Sequence, residues 1–119
     1  MGNSVDITFY NNTHVKWVRT NYDLHMSEGT ADPYPPLTIH PEETVRWGAH
    51  GVVSGCEGYV IYRLDGTTDE MKVYFNDPLI GVNTFTVSFD SNISYFTSSI
   101  EHPKGNAATP KITIMLRGS

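Results

Sequence analysis

The sequence predicts an all-β chain, a compact antiparallel β-sandwich of about eight to ten short strands. Three observations carry that prediction. Apolar residues alternate with polar ones in several short runs, turn-forming residues interrupt the runs at short intervals, and no stretch carries an apolar stripe of helical spacing. At 119 residues the chain fits one domain over residues 1–119. That length can bury about two-thirds of the surface the unfolded form exposes, so neither disulfide nor metal is needed to hold it.

Taken in order, Val5, Ile7 and Phe9 alternate with Asp6 and Thr8, so one face of the first strand meets the core. After the Asn11-Asn12 turn signal, residues 14–26 read as a long basic and aromatic strand with two possible phases. If Val18, Thr20, Tyr22 and Leu24 face inward, Trp17 points outward between Lys16 and Arg19; the other phase buries it. Asp32-Pro33 and Pro35-Pro36 break the chain. Residues 41–45, the nearest approach to a helix, lack an apolar stripe. Trp47 alternates with Val45 and Ala49 and is expected in the core. Gly55 and Gly58 suggest a tight turn entering a strand at Tyr59, with Cys56 as a small filler.

The clearest local unit is a hairpin around Asp65-Gly66, where glycine tolerates positive φ. In its first arm Val60, Tyr62 and Leu64 share one face and Tyr59, Ile61 and Arg63 the other. In its second arm Met71, Val73 and Phe75 alternate with Lys72, Tyr74 and Asn76. Asp77-Pro78 then favours a turn with Leu79 and Ile80 at its tip. Phe85, Val87 and Phe89 mark the next strand, followed by turn signals at Asp90-Ser91-Asn92 and Pro103-Lys104-Gly105. Ile112, Ile114 and Leu116 mark the closing strand.

Charge narrows the function classes. Eight basic residues against thirteen acidic ones give a net charge of −5, and no two basic residues are adjacent. A nucleic-acid partner needs a basic stripe for phosphate, so none is expected. Anionic lipid is disfavoured for the same reason, and a zwitterionic or sterol-rich membrane fits better. The first residues carry neither the basic nor the apolar part of a cleavable signal peptide. No apolar run approaches the ~20 residues of a membrane helix. The sequons at Asn11 and Asn92 are read as chance matches.

A catalytic Cys56 would need a histidine base and oxyanion donors. Five histidines are present, but the adjacent Glu57 would raise the thiol pKa. Gly51-Val52-Val53-Ser54-Gly55 places valine where a nucleophile elbow needs serine. No catalytic residue is assigned. Without His-x-His, His-x-x-x-His or a calcium-loop pattern, no metal or cofactor is expected either. Leu79 and Ile80 remain: at an exposed tip they form a contact surface, unless the tip folds back under a neighbouring loop.

The order of segments resembles the aegerolysin family over nearly the whole chain. It is similar above all to the small subunits of bacterial binary insecticidal crystal toxins. Gly55-Cys56-Glu57-Gly58, with Tyr62 and Gly66 following, and the run from Val73 through Asn76-Asp77-Pro78 to Gly81, Asn83 and Phe85 carry most of the resemblance. It implies a non-enzymatic module that binds a membrane lipid, a sphingolipid with or without sterol, or a surface receptor. It also implies a larger pore-forming protein subunit as partner, and a cytolytic or insecticidal outcome. Such a protein would be made without a cleavable signal, stay cytoplasmic or stored in inclusions, and act outside the cell. Ser54 stands where mushroom members carry a lipid-discriminating glutamate, with Glu57 one short turn away. Asn76 and Ile80 replace the two tryptophans of the mushroom W-D-C-P-W-G loop, which favours a different lipid or a protein receptor. The candidate contact residues are therefore Trp17, Arg19, Tyr22, Ser54, Glu57, Leu79 and Ile80. The alternative is a lectin-like sandwich in which Trp17, Tyr22 or Tyr59 stacks on sugar rings.

Overall fold

The alternation of Val5, Ile7 and Phe9 becomes the central strand of one of two facing sheets. The computed structural model describes residues 2–102 and 108–118, so the turn expected at Pro103-Lys104-Gly105 lies outside the described residues. Eleven strands follow in chain order: β1 (Ser4–Asn12), β2 (Trp17–Val18), β3 (Leu24–Glu28), β4 (Thr30–Ala31), β5 (Thr38–Ile39), β6 (Thr44–His50), β7 (Cys56–Leu64), β8 (Glu70–Asp77), β9 (Thr84–Phe89), β10 (Phe96–Glu101) and β11 (Lys111–Leu116). Three of them are only two residues long, which leaves eight strands of ordinary length. The all-β sandwich is as the alternation predicts, and Ser91–Ile93 forms a single 3₁₀ turn.

One sheet has the order β10-β11-β1-β6-β4, and the other β5-β2-β7-β8-β9 with β3 also paired to β7. Pairing is antiparallel except between β1 and β11, which run parallel with Thr8 opposite Lys111. Every second residue of β1, β7 and β8 enters the core, where Ile7, Phe9, Val60, Tyr62, Met71, Val73 and Phe75 are sealed from solvent. Phe9 packs on Trp47 with ring centroids 5.5 Å apart. Leu116 leaves the expected inward set and is exposed.

Trp17 is fully buried, edge-on to Phe96 at 5.1 Å. The outward phase is therefore corrected: Trp17 is core and has no exposed surface to offer a lipid, a partner or a sugar. The long strand expected over residues 14–26 is also corrected. It breaks after Val18 into a turn, and β3 starts at Leu24. The cause is Asp23, whose Oδ2 accepts hydrogen bonds from the Thr20 backbone N–H at 2.8 Å and the Thr20 hydroxyl at 2.9 Å. Arg19 turns inward to donate through Nε to the carbonyls of Pro35 (3.0 Å) and Pro36 (3.2 Å) and through Nη1 to Thr20 (2.9 Å). It is 9% exposed. Its guanidinium ties a loop to the sandwich, so the contact role expected of Arg19 is corrected to a structural one.

β7 begins at Cys56, not at Tyr59. Cys56 points into the core with its thiol 3.8 Å from the Ala49 carbonyl. Burial, followed by the charges of Asp77 and Glu28, pushes that thiol up to about 11. Glu57, expected to do so, faces the opposite side of the strand. A neutral, buried thiol is a poor nucleophile.

Candidate functional site

Two loops form one end of the sandwich: residues 51–55 between β6 and β7, and residues 78–83 between β8 and β9. Asn3, just before β1, staples them. Its N–H donates to the Ser54 carbonyl (3.1 Å) and its own carbonyl accepts from Gly51 N–H (2.9 Å). Its side-chain amide donates to the Pro78 carbonyl at 2.7 Å and to the Asp77 carbonyl and carboxylate at 3.2 and 3.1 Å. The loops themselves meet at Gly55, where a Cβ would lie 2.6 Å from the Asp77 carbonyl and 2.9 Å from the Leu79 nitrogen. Burial raises the Asp77 carboxyl above its ordinary range, partly offset by the Asn3 amide.

This end is apolar. Ile80 is 92% exposed and Val82 85%, and Leu79, Val52 and Val53 are exposed beside them. Neither loop contains a charged residue. The tip at Leu79 and Ile80 stands clear of its neighbours, as one of the two sequence readings expects, and the second loop enlarges it. Val52, Val53 and Val82 were not anticipated. Their signal was present, since two valines between glycine and serine-glycine cannot continue a buried strand, but only the fold brings them beside Leu79. Ser54 lies under this tip, half-buried, its hydroxyl donating to the Gly55 carbonyl.

Beside the tip, on the outward face of β3, β7 and β8, lies an open hollow of about 310 Å³ lined by His25, Met26, Ser27, Glu57, Gly58, Tyr59, Lys72 and Tyr74. Cross-strand register sets it up: His25 opposes Tyr59 across β3–β7, and Tyr59 opposes Tyr74 across β7–β8. Glu57 accepts hydrogen bonds from the Tyr74 hydroxyl and, at 3.0 Å, from the Ser27 hydroxyl. These bonds, Tyr74 first, hold its carboxyl below the ordinary value of 4.5. His25 stacks on Tyr59 with centroids 4.6 Å apart, and Lys72 Nζ stands 4.2 Å from the centre of the same ring. β3 and β8 flank β7 on opposite sides, so these contacts cover Tyr59 from both.

Tyr22 is 86% exposed, but in the Asp23 turn, away from the tip. Trp17 is in register with Leu64, at the far end of β7 and roughly 25 Å from Cys56 at about 3.3 Å per residue. The structure thus gathers Ser54, Glu57, Leu79 and Ile80 at one end and leaves Trp17, Arg19 and Tyr22 elsewhere. Among the described residues no group of three or more His, Cys, Asp or Glu side chains is placed to hold a metal, and no helix is long and apolar enough to cross a membrane.

An all-β sandwich with an uncharged apolar tip is the class these features define. No family model matches the chain. It is similar to an uncharacterized protein of Dictyostelium discoideum, 28% identical over 110 residues that cover 91% of this chain but 10% of that protein. The chain thus spans about a tenth of the length of the curated relative it matches. Among solved structures it resembles the RahU protein, crystallised in complex with a TRIS molecule. The TM-score is 0.71 and the identity 10%, over 98% of this chain and 96% of that one. At that identity the likeness is one of fold.

Proposed function

We propose that this chain is a non-enzymatic binding module of aegerolysin type that attaches to a membrane lipid or a surface receptor through its apolar tip. The observation that carries the reading is the pairing of two uncharged loops into one exposed patch of Val52, Val53, Leu79, Ile80 and Val82. Exposed side chains of this kind gain only when something covers them. A tip without lysine or arginine suits a zwitterionic or sterol-rich bilayer, since an anionic one rewards basic residues. The segment resemblance adds the rest of the proposal: a sphingolipid, with or without sterol, as the lipid, and a larger pore-forming protein as partner in a cytolytic or insecticidal pair.

Flotation with vesicles of varied sphingolipid and sterol content tests it. At about 25 cal/mol per Å² of apolar area, one isoleucine at the tip contributes on the order of 2 kcal/mol. Ile80→Asp also places a charge where burial is costly. Ile80→Asp is expected to lose flotation by more than about tenfold while its circular dichroism stays that of the wild type. Tyr22→Ala, altered far from the tip, is expected to float normally. A folded Ile80→Asp that floats like wild type would place the contact surface elsewhere.

A further inference from the structure

We propose that the groove between the edges of β9 and β10 binds the terminal carboxylate of an extended peptide segment, with Arg117 as its cationic partner. These are the outer strands of their sheets: among the described residues β9 pairs only with β8, and β10 only with β11. An open hollow of about 200 Å³ lies along the seam between them. Val87, Ser88 and Phe89 line one side of it, and Phe96, Thr97 and Ser98 the other. Side chains of a strand alternate between its faces, so consecutive residues border a hollow only where the strand turns its edge to it. The groove therefore meets backbone N–H and C=O groups that sheet pairing leaves over. Neither strand carries proline or lysine, the usual guards of an open edge.

The charge at one end of the groove selects the occupant. Arg117 follows β11 and is fixed twice to the turn before β10. Its backbone N–H donates to the Tyr95 carbonyl at 2.8 Å and its Nε to the Ser94 carbonyl at 2.7 Å. Among the described residues its two terminal nitrogens have no acceptor, and the ion pairs join Lys16 to Asp65, Arg46 to Asp6, and Arg63 to Asp23 and Glu70. A guanidinium held in this way offers its remaining donors as a fork to a carboxylate. No carboxylate lines the groove. Asp90, next to Phe89 in the chain, is engaged with the Glu70 backbone N–H at 2.8 Å. Ser94 and Ser98 add hydroxyl donors, and the half-buried Val87 and Phe89 an apolar floor for a final side chain. Open strand edges, an apolar floor and a cation in one line suit a peptide added as a strand better than a free inorganic anion. Phe89 opposes Met71 and Phe96 opposes Leu116, at the end of the sandwich away from the tip. The site therefore goes beyond the membrane-contact reading and does not depend on it.

The probes are a short acetylated peptide of alternating valine and threonine ending in valine, the same peptide closed as its C-terminal amide, and inorganic phosphate. Each is titrated into the chain and followed by the amide shifts of Ser88, Thr97 and Ser98. The free-acid peptide is expected to give saturable shifts at these positions, and the amide form to bind about tenfold or more weakly. Arg117→Gln is expected to lose as much, with unchanged circular dichroism. Ser88→Asp leaves Arg117 in place but sets a carboxylate beside the groove, and is expected to weaken the free-acid peptide by a similar factor. Phosphate that saturates the same shifts as tightly as the peptide would reduce the site to a simple anion contact and overturn the peptide reading. Equal binding of the acid and amide forms, no saturable shift with the acid form at millimolar concentration, or both variants indistinguishable from wild type would overturn it too. Ile80→Asp is expected to bind the peptide like wild type while losing flotation, so failure of the tip reading is told apart from failure of this site.

Discussion

Gly58 lies where β3 and β8 crowd β7 from both sides. A Cβ there would stand 2.6 Å from the His25 carbonyl oxygen, 2.7 Å from the Met26 sulfur and 3.1 Å from the Phe75 ring. The methionine can move, but the backbone oxygen is fixed by strand pairing. We expect Gly58→Ala to lose about 1–3 kcal/mol, the usual cost of overfilling a packed site, and Gly58→Val to lose more. Urea midpoints measure this, and a Gly58→Ala midpoint equal to wild type would refute the crowding. The sequence marks this glycine as necessary but suggests the wrong reason, a tight turn before the strand, whereas Gly58 lies inside β7. Gly58 has no positive φ; among the described residues the left-handed glycines are Gly29, Gly66, Gly81 and Gly118. What excludes a side chain at Gly58 is a strand more than thirty positions away, and no local pattern encodes that approach.

The break between β2 and β3 depends on one carboxylate. Asp23 accepts from Thr20 and, at 2.6 Å, from Arg63 on β7, while Arg63 also reaches Glu70 on β8 at 3.0 Å. The turn is thereby clamped to the sheet. Burial alone would raise the Asp23 carboxyl, but the Thr20 N–H, Arg63 and the Thr20 hydroxyl together outweigh it and hold the group below its ordinary 3.8. A carboxyl depressed by folding contributes stability above its unfolded pKa and loses it as pH falls through the folded value. Asp23→Asn should therefore cost about 1–3 kcal/mol at neutral pH, as for hydrogen bonds to a charged group. The gap to wild type should close as pH drops below 3.8. Urea midpoints of both proteins from neutral to strongly acid pH check this, and a gap of constant size would count against the clamp. Strands were legible where alternation runs five residues or more, as in β1, β7 and β8. β2 was not: two residues cannot fix a phase, and Arg19 turns inward only because proline carbonyls elsewhere in the chain receive it.

At the scale of the whole molecule, the tip is a joint product of the first strand and two distant loops. Leu79 and Ile80 could be read from the turn residues around them, but their union with Val52 and Val53 passes through Asn3, far away in sequence. The hollow was legible only in Glu57 and Tyr59 of β7, since most of its other walls come from two further strands. Asn3→Ala is expected to leave the sheets intact while raising amide exchange in residues 51–55 and 78–83 and weakening vesicle flotation, because loops that move independently lose more order on contact. Exchange and flotation both unchanged would show that the loops hold each other without the staple.

The parallel pairing of β1 with β11 has a practical side. Because the two strands point the same way, residue 2 emerges beside Val52, whereas β11 runs out at Leu116 toward the opposite pole. Cargo joined ahead of the first strand would crowd the apolar tip, while cargo joined behind the last strand trails away from it. A dye, a surface anchor or a second protein that is to leave the two tip loops uncovered therefore belongs behind β11.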